Sequence, residues 1–476
     1  MNMIPDKVRH TLQNLRKNLQ HNVEIHQIKG GFYVYRASSV YDSQTKKPKK
    51  TTHYIGSITP DGIFKPKKKS VSKIVSNREI FEYANGMLAY SYIKDLELLL
   101  EKYTPYFKEL VTMAIVKALD PKPLRLIASR WEKLDLSNQI DVKLLPKHLG
   151  EVLHQIGSEV GWWYDLFAEL ASDNDLIFYD LTAIITYSES IKLAEKGYNA
   201  DHDKNEQIGV SMAFSSNTGL PIGCDVSFGS MRDIKTIKNF LNRFKDNDIG
   251  LILDRGFSSY SLLNELKKRG IHYLVPLKKN SKFLPKSKIV WDGGFLYRNR
   301  GILCTCVNNQ YGYLYLYMDP LLKGEKESTL LKNSLKRGLN VDDYQNKCEF
   351  SGIIPILSDI AKPPAEIFLL YKEREDVELA FDALKNPIDS DKSYLQSEES
   401  VRGYFFISLL ALRIYFSVLR KLRILNLNQI ISVEEVFFEL SKIEIIHDAR
   451  GTKSFAQIPK RAAKMLSLFT DHIPMG

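Results

Sequence analysis

The chain has 476 residues, 44% of them hydrophobic and 26% charged. That is the composition of a folded globular protein with room for about three domains, and it excludes wholesale disorder, collagen and a long coiled coil. The four cysteines, Cys224, Cys304, Cys306 and Cys348, are too few for a disulfide scaffold and suit a reducing compartment. Charge is unevenly placed: residues 1–80 hold 16 basic and 5 acidic residues, and the remaining 396 hold 51 of each. The whole excess of +11 therefore sits in the first sixth of the chain. A basic end on a neutral body points to a polyanionic partner, nucleic acid first, with a solubilising tail as the plain alternative.

The opening MNMIPDKVRH has no apolar core of the kind a signal peptide needs, so a cytoplasmic protein is expected. Gly31 to Val40 and Thr51 to Ile58 are rich in aromatic and β-branched residues and read as two strands. Between them runs the lysine-rich Tyr41 to Lys50, and after a Pro60-Asp61-Gly62 turn comes a second basic run, Lys65 to Lys69. Lysines interleaved with aromatic residues suit a phosphate backbone; a hairpin that is merely basic is the other possibility. Residues 75 to 172 read as helical, from the apolar spacing in Glu97 to Leu100, Leu110 to Ala118 and Leu149 to Ile156, with breaks at Pro121, Pro123 and Pro146.

The texture then changes to alternating strands and helices. Leu176 to Tyr179 is a short apolar run ending in Asp180, and Ile249 to Leu253 is another, ending in Asp254. Between them Ile208 to Phe214 and Leu220 to Phe228 flank an Asn217-Thr218-Gly219 turn, and Ile234 to Phe244 reads as a helix. Ser259 to Arg269 is a further helix and Tyr273 to Leu277 a further strand, so the region is an α/β layer. From about 280 to 360 the pattern is interrupted. Ile302 to Val307 and Tyr313 to Met318 form a hairpin, followed by a lysine-rich helical stretch and a strand at Ile353 to Leu357. Phe368 to Lys385 reads as one helix, with more helices to the end; Gly403 to Leu412 is too short to span a membrane and reads as core.

Three groups of residues could carry chemistry. Ligands in open α/β sheets gather at the carboxyl ends of strands, where Asp180 and Asp254 are expected. Two neighbouring carboxylates there could hold Mg²⁺ together with phosphate oxygens, although a strand-end aspartate is also a common turn former. Tyr371, Arg374, Glu378 and Lys385 follow the spacing Y-x2-R-x3-E-x6-K. At about 100° per residue the last three fall at roughly −60°, −20° and −40° from the tyrosine, on one helical face. Val377, Phe381 and Leu384 make a separate apolar stripe for packing on a sheet. One carboxylate between two cations and a ring suits phosphodiester chemistry; a solvated helix with an Arg374–Glu378 i,i+4 pair is the structural alternative. Glu375 lies on almost the same face and competes for the carboxylate role. Cys304-x-Cys306 lies in a strand without partners at zinc-site spacing, His202 lies in a polar loop, and no P-loop or dinucleotide fingerprint occurs.

At these residues the chain resembles a known family. The Y-x2-R-x3-E-x6-K spacing is similar to the signature of a group of bacterial insertion-sequence transposases with a DDE triad. Asp180 in YDLT resembles the first acidic residue, Asp254 in LILDRGF the second and Glu378 the third. The resemblance implies an α/β fold: a ribonuclease-H-like catalytic domain interrupted by a mostly β insertion, preceded by a basic N-terminal β element and a helical region. It divides the chain into a DNA-binding β element (1–74), a helical region (75–172), the catalytic domain (173–280 and 363–430), the insertion (281–362) and C-terminal helices (431–476). It implies a transposase that binds element ends, cleaves them and transfers the 3′ ends to target DNA. Asp180, Asp254 and Glu378 would hold two Mg²⁺ ions, with Mn²⁺ able to substitute, and Tyr371, Arg374 and Lys385 would contact DNA. The expected partners are double-stranded DNA, both terminal repeats and target, and a second copy of the chain, with no membrane. A nuclease of the same fold and a silent DNA-binding descendant are the alternatives. Some relatives stack a flipped base on a tryptophan shortly before the signature helix; the nearest one upstream here is Trp291, 80 residues before Tyr371, a departure that leaves open whether a DNA hairpin intermediate forms.

Overall fold

The computed structural model describes residues 4–19, 22–28, 30–42, 47–67, 78–171, 175–188, 190–196, 205–229, 233–243, 249–278, 281–285, 289–336, 338, 344–345, 348, 351–390, 392–393, 395–448 and 450–475. His202, Lys68, Lys69 and part of the Tyr41 to Lys50 stretch lie outside them. The chain forms two compact units: Met1–Glu79 with Asp448–Thr452, and Ile80–His447 with Lys453–Gly476.

The first unit holds helix α1 (Asp6–Leu19) and an antiparallel sheet in the order β1 (Val23–Ile28), β2 (Gly31–Asp42), β3 (Lys47–Ile58), β4 (Phe64–Pro66). Asp6 in the first turn of α1 and Arg16 and Lys17 in the last complement the helix dipole. Val8 and Leu12, four residues apart and so on one face, close with Val23, Phe32, Val34 and Ile58 into a small separate core. The two expected strands are present but longer, because the lysine-rich stretch between them pairs as well, down to Asp42 opposite Lys47.

The second unit begins at Ile80, within β5 (Arg78–Glu82), and continues with the helices α2 (Ala84–Tyr103), α3 (Phe107–Leu119), α4 (Leu124–Trp131), α5 (Pro146–Ser158) and α6 (Gly161–Leu170). Pro146 opens α5, where a missing N–H costs nothing, and so starts a helix as well as ending the preceding segment. The main sheet is built from β6 (Leu176–Thr186), β7 (Glu195–Lys196), β8 (Glu206–Ser215), β9 (Pro221–Phe228), β10 (Gly250–Leu253), β11 (His272–Pro276), β12 (Gly293–Tyr297), β13 (Arg300–Asn309), β14 (Gly312–Met318) and β15 (Ile353–Ser358). Its order is β12-β13-β14-β15-β11-β10-β6-β8-β7, with β9 also paired to β8. Strand β6 is parallel to β10 and antiparallel to β8, and β10 is parallel to β11. Helices α7 (Asp233–Arg243), α8 (Tyr260–Arg269) and α9 (Pro320–Lys336) connect the strands.

Two expectations need correction. Strand β6 does not end at Asp180 but runs on to Thr186, because Leu181 to Ile185 keep pairing with β8 as far as Ile185 opposite Gln207. The β segment between about 280 and 360, expected as an insertion that interrupts the catalytic domain, is continuous with the main sheet: β15 pairs with β11 on one side and β14 on the other. Its edge is buried by strand pairing, which satisfies backbone groups that a free lobe would leave open.

After β15 come α10 (Pro364–Lys372), α11 (Glu375–Lys385), β16 (Lys392–Ser393), the long α12 (Glu398–Ile424), α13 (Val433–Leu440), β17 (Glu444–Asp448), β18 (Lys453–Phe455) and α14 (Lys460–Leu466). The C-terminal part thus includes a β17–β18 hairpin besides its helices. Helix α12 passes through the expected Gly403 to Leu412 and continues beyond Arg413, whose buried guanidinium donates to the Pro221 carbonyl at 2.5 Å. Gly403 on α12 and Gly157 on α5 let the two helix backbones touch: a Cβ on Gly403 would run into the Leu153 carbonyl, and one on Gly157 into that of Glu399. No helix among the described residues is long and apolar enough to cross a membrane.

Candidate active site

Three elements bring the acidic residues together. The parallel pairing of β10 with β6 sets Leu253 opposite Tyr179. The next position on each strand is an aspartate, Asp254 beside Asp180, and adjacent strands run about 4.8 Å apart. Leu253, Ile177 and Tyr179 are buried, so both strands are anchored by their neighbours in the core. Asp254 lies just beyond the end of β10, and its carbonyl accepts from the Phe257 N–H to form a short turn. The third acid comes from α11, whose Val377, Phe381 and Leu384 are buried as the apolar stripe requires. Phe368 to Lys385 is two helices, not one: Glu373 and Arg374 interrupt the ladder, although both stay in the right-handed helical region.

Arg374 stands at the centre. Its guanidinium lies 3.3 Å from Asp254, 3.6 Å from Asp180 and 2.5 Å from Glu378. The arginine side chain is 14% exposed and Asp180 18%, while Glu378 is 57% exposed. One part-buried cation therefore gathers three carboxylates that would otherwise repel one another. Burial pushes the Asp180 carboxyl up to about 6 from its ordinary 3.8; the Leu181 N–H and Arg374 pull it down, and Asp254 and Glu378 push it up again. The Tyr371 phenol is raised first by burial, and it also feels Arg374, Asp254 and Glu378, which places it in the same field.

Glu375 is drawn away from this cluster. It takes Arg298 at 3.1 Å and Lys372 at 3.5 Å, so on this helix it is Glu378, not Glu375, that meets Arg374. Lys385 is half-buried at the end of α11, and among the described residues no ion pair joins it to the carboxylates. Cys304 and Cys306 lie in β13 as expected, both free. Sequence reasoning missed the turn that holds Arg298. It joins β12 to β13 with Arg298 and Asn299 both at positive φ, 46° and 62°. Two-residue hairpins of that kind favour Asn-Gly or Gly-rich pairs, and a turn carrying arginine gives no such signal.

Residues 172–414 match the family model for the transposase DDE domain, a span that contains Asp180, Asp254, Arg374 and Glu378. The chain belongs to that family. No curated protein matches this DDE-domain chain. Among solved structures, the piggyBac transposase synaptic complex with hairpin DNA is similar at 11% identity, covering 82% of this chain and 71% of that one, with a TM-score of 0.35.

The donor set of the DDE domain is all carboxylate oxygen, which suits a hard divalent cation. Among the described residues no three acidic, imidazole or thiol groups lie close enough together to hold an ion as they stand. Arg374 lies between them and satisfies them, and it marks where positive charge is called for. Three carboxylates are the kind of ligand a hard divalent cation takes, and in this structure the Arg374 guanidinium occupies the space between them.

Proposed function

We propose that the chain is a DNA transposase that binds the ends of a bacterial insertion sequence, cleaves them by metal-dependent hydrolysis and transfers the 3′ ends to target DNA. The observation that carries this reading is the convergence of Asp180, Asp254 and Glu378 on one guanidinium within the DDE domain. The strand order β9-β8-β6-β10-β11, with β6 antiparallel to β8 and parallel to β10, supports a ribonuclease-H-like domain. Asp180, Asp254 and Glu378 would hold two Mg²⁺ ions, with Mn²⁺ able to substitute. Bound there, the metal supplies Lewis-acid charge at the phosphorus and a nucleophile at neutral pH.

The protein's own groups do the rest. Asp180 is held by two strands, so its carboxylate is in place before DNA arrives, and positioning of this kind is worth several kcal/mol of barrier. Arg374, released from the carboxylates, has a fork that matches the phosphate oxygens beside the cut. Tyr371, on the last turn of α10, contacts the end nucleotides, and Lys385 contacts the backbone further along α11. Water attacks the phosphorus in the first step and the 3′ oxygen leaves as a hydroxyl; in the second, that 3′-hydroxyl attacks a phosphodiester of the target, whose own 3′ oxygen leaves as the new bond forms. The working assembly is a homodimer holding two ends.

The test is to incubate the protein with the DNA flanking its own gene and Mg²⁺, then map nicks and joined products. Nicks at a fixed end position together with strand-transfer products support the reading. Cuts without joining would make it a nuclease, and no cuts at all would make it a silent binding protein.

A further inference from the structure

The N-terminal sheet has two unlike faces. Phe32, Val34 and Ile58 point to α1 and close the small core. The pairings His26 opposite Tyr33, Tyr33 opposite Ser57, Tyr35 opposite Tyr54, Ser39 opposite Lys50 and Ser57 opposite Lys65 put those residues on the other face. There Tyr35 packs its ring on His26 at 4.7 Å and on Tyr54 at 5.4 Å, and Tyr33 lies 6.1 Å from Tyr54. This face is open to solvent: the Lys50 side chain is 60% exposed and His26 48%. Glu24 also lies on it and is held by Lys50 at 2.6 Å.

Shape and charge point to one partner. Strands β2 and β3 have 12 residues each, which makes a ribbon about 40 Å long. Helix α1 has 14 residues and is about 21 Å long, so it can cover only about half of that ribbon. The far half carries Lys47, Lys50 and the Ser38–Thr51 hydroxyl pair in the open. A two-stranded ribbon fits the major groove of duplex DNA, which is about 12 Å wide. The tyrosine rings lie tilted against one another at 52° to 59°, so they form a ridge. A single-strand platform instead offers separate ring faces for successive bases.

We propose that the β2–β3 ribbon lies in the major groove of the element-end duplex with its tyrosine face inward, and that Lys50 and Lys65 sit on the flanking phosphates. This rests on the transposase reading for the identity of the DNA, but its test does not need cleavage. Binding is measured by fluorescence anisotropy with the full chain, in EDTA, on a 30-bp duplex of the gene-flanking end and on one of its single strands. Two double variants remove the same charge from opposite sides: Lys50→Ala with Lys65→Ala on the sheet, and Arg9→Ala with Lys17→Ala on the outside of α1. The sheet pair should weaken duplex binding by about tenfold and make the log–log salt slope shallower by about 1.8, since each phosphate contact contributes about 0.9. The helix pair should stay within about twofold of the parent, and Tyr35→Ala with Tyr54→Ala should weaken binding with the slope unchanged. The lysine positions are exposed, so their readout stands even where the tyrosine variant fails to fold. An equal or larger loss in the helix pair, a preference for the single strand, or no duplex binding by the parent would overturn the proposal. A chain that binds through this face yet never cuts would sink the transposase reading alone.

Discussion

The two units differ most in charge. The N-terminal region carries the entire basic excess of the chain on a six-residue core. The rest is balanced, with 51 basic and 51 acidic residues beyond position 80, yet it collects three carboxylates around one part-buried arginine. Attraction to a polyanion needs many exposed cations and little precision. Phosphodiester chemistry needs a few acids held accurately, and the body gives them two strands and a helix anchored in the core. Binding and cleavage should therefore be separable by mutation.

The sharpest separation is expected at the acids. Asp180→Ala or Asp254→Ala should lower cleavage of element-end DNA by about a thousandfold or more, as for groups that act as a unit. Duplex binding in EDTA should change by less than about threefold. A variant that keeps near-normal cleavage removes its residue from the site. The converse change is removal of residues 1–79. It should weaken duplex binding by about a hundredfold and flatten the salt dependence, because each lost phosphate contact takes about 0.9 from the slope. An unchanged slope, read by anisotropy from 50 to 300 mM salt, would reduce the region to a solubilising tail.

A third change should strike the body alone. Gly403→Ala drives a methyl into the Leu153 backbone where α12 crosses α5. Overpacking of this kind should cost ~3 kcal/mol, and calorimetry should show the main transition falling in temperature while the basic unit's own transition stays. The smallest expected effect is at Asp180. Its carboxyl is held at about 6 against an ordinary 3.8, so the stability it contributes is whole below about pH 4 and is lost as pH rises through about 6. Asn stays neutral across that window. Asp180→Asn should therefore stabilise the metal-free protein by ~2 kcal/mol above pH 6, and should match the parent below pH 4, in urea titrations. A gain that is the same at pH 4 and pH 8 would show that the buried charge is not its cause.

Much of this arrangement is legible in the sequence, and the gaps have physical causes. Strands β10 and β11 are buried on both faces, so they read as apolar runs, and Asp254 marks the end of one. The Tyr371–Lys385 spacing indicates a polar helical face, and Val377, Phe381 and Leu384 are buried opposite it. The break at Glu373 and Arg374 was not legible, since neither residue is a helix breaker and both keep helical dihedrals. Helix α1 was missed because its stripe, led by Val8 and Leu12, is only two turns of apolar residues among charges. Sheet continuity from β11 to β15 is a long-range pairing that no local pattern reports. The choice between Glu375 and Glu378 was open in the sequence because both sit near one face; Arg298, 77 residues upstream, engages the first.

That choice gives the most direct test of the site. Glu378→Gln and Glu375→Gln differ by three positions on one helix and remove one charge each, with side chains of the same size. In single-turnover cleavage of element-end duplex with Mg²⁺, Glu378→Gln should lose about a thousandfold, and Glu375→Gln should stay within about threefold of the parent. Full cleavage by Glu378→Gln beside a dead Glu375→Gln would contradict the account, because the carboxylate that meets Arg374 would then not be the one that does the chemistry.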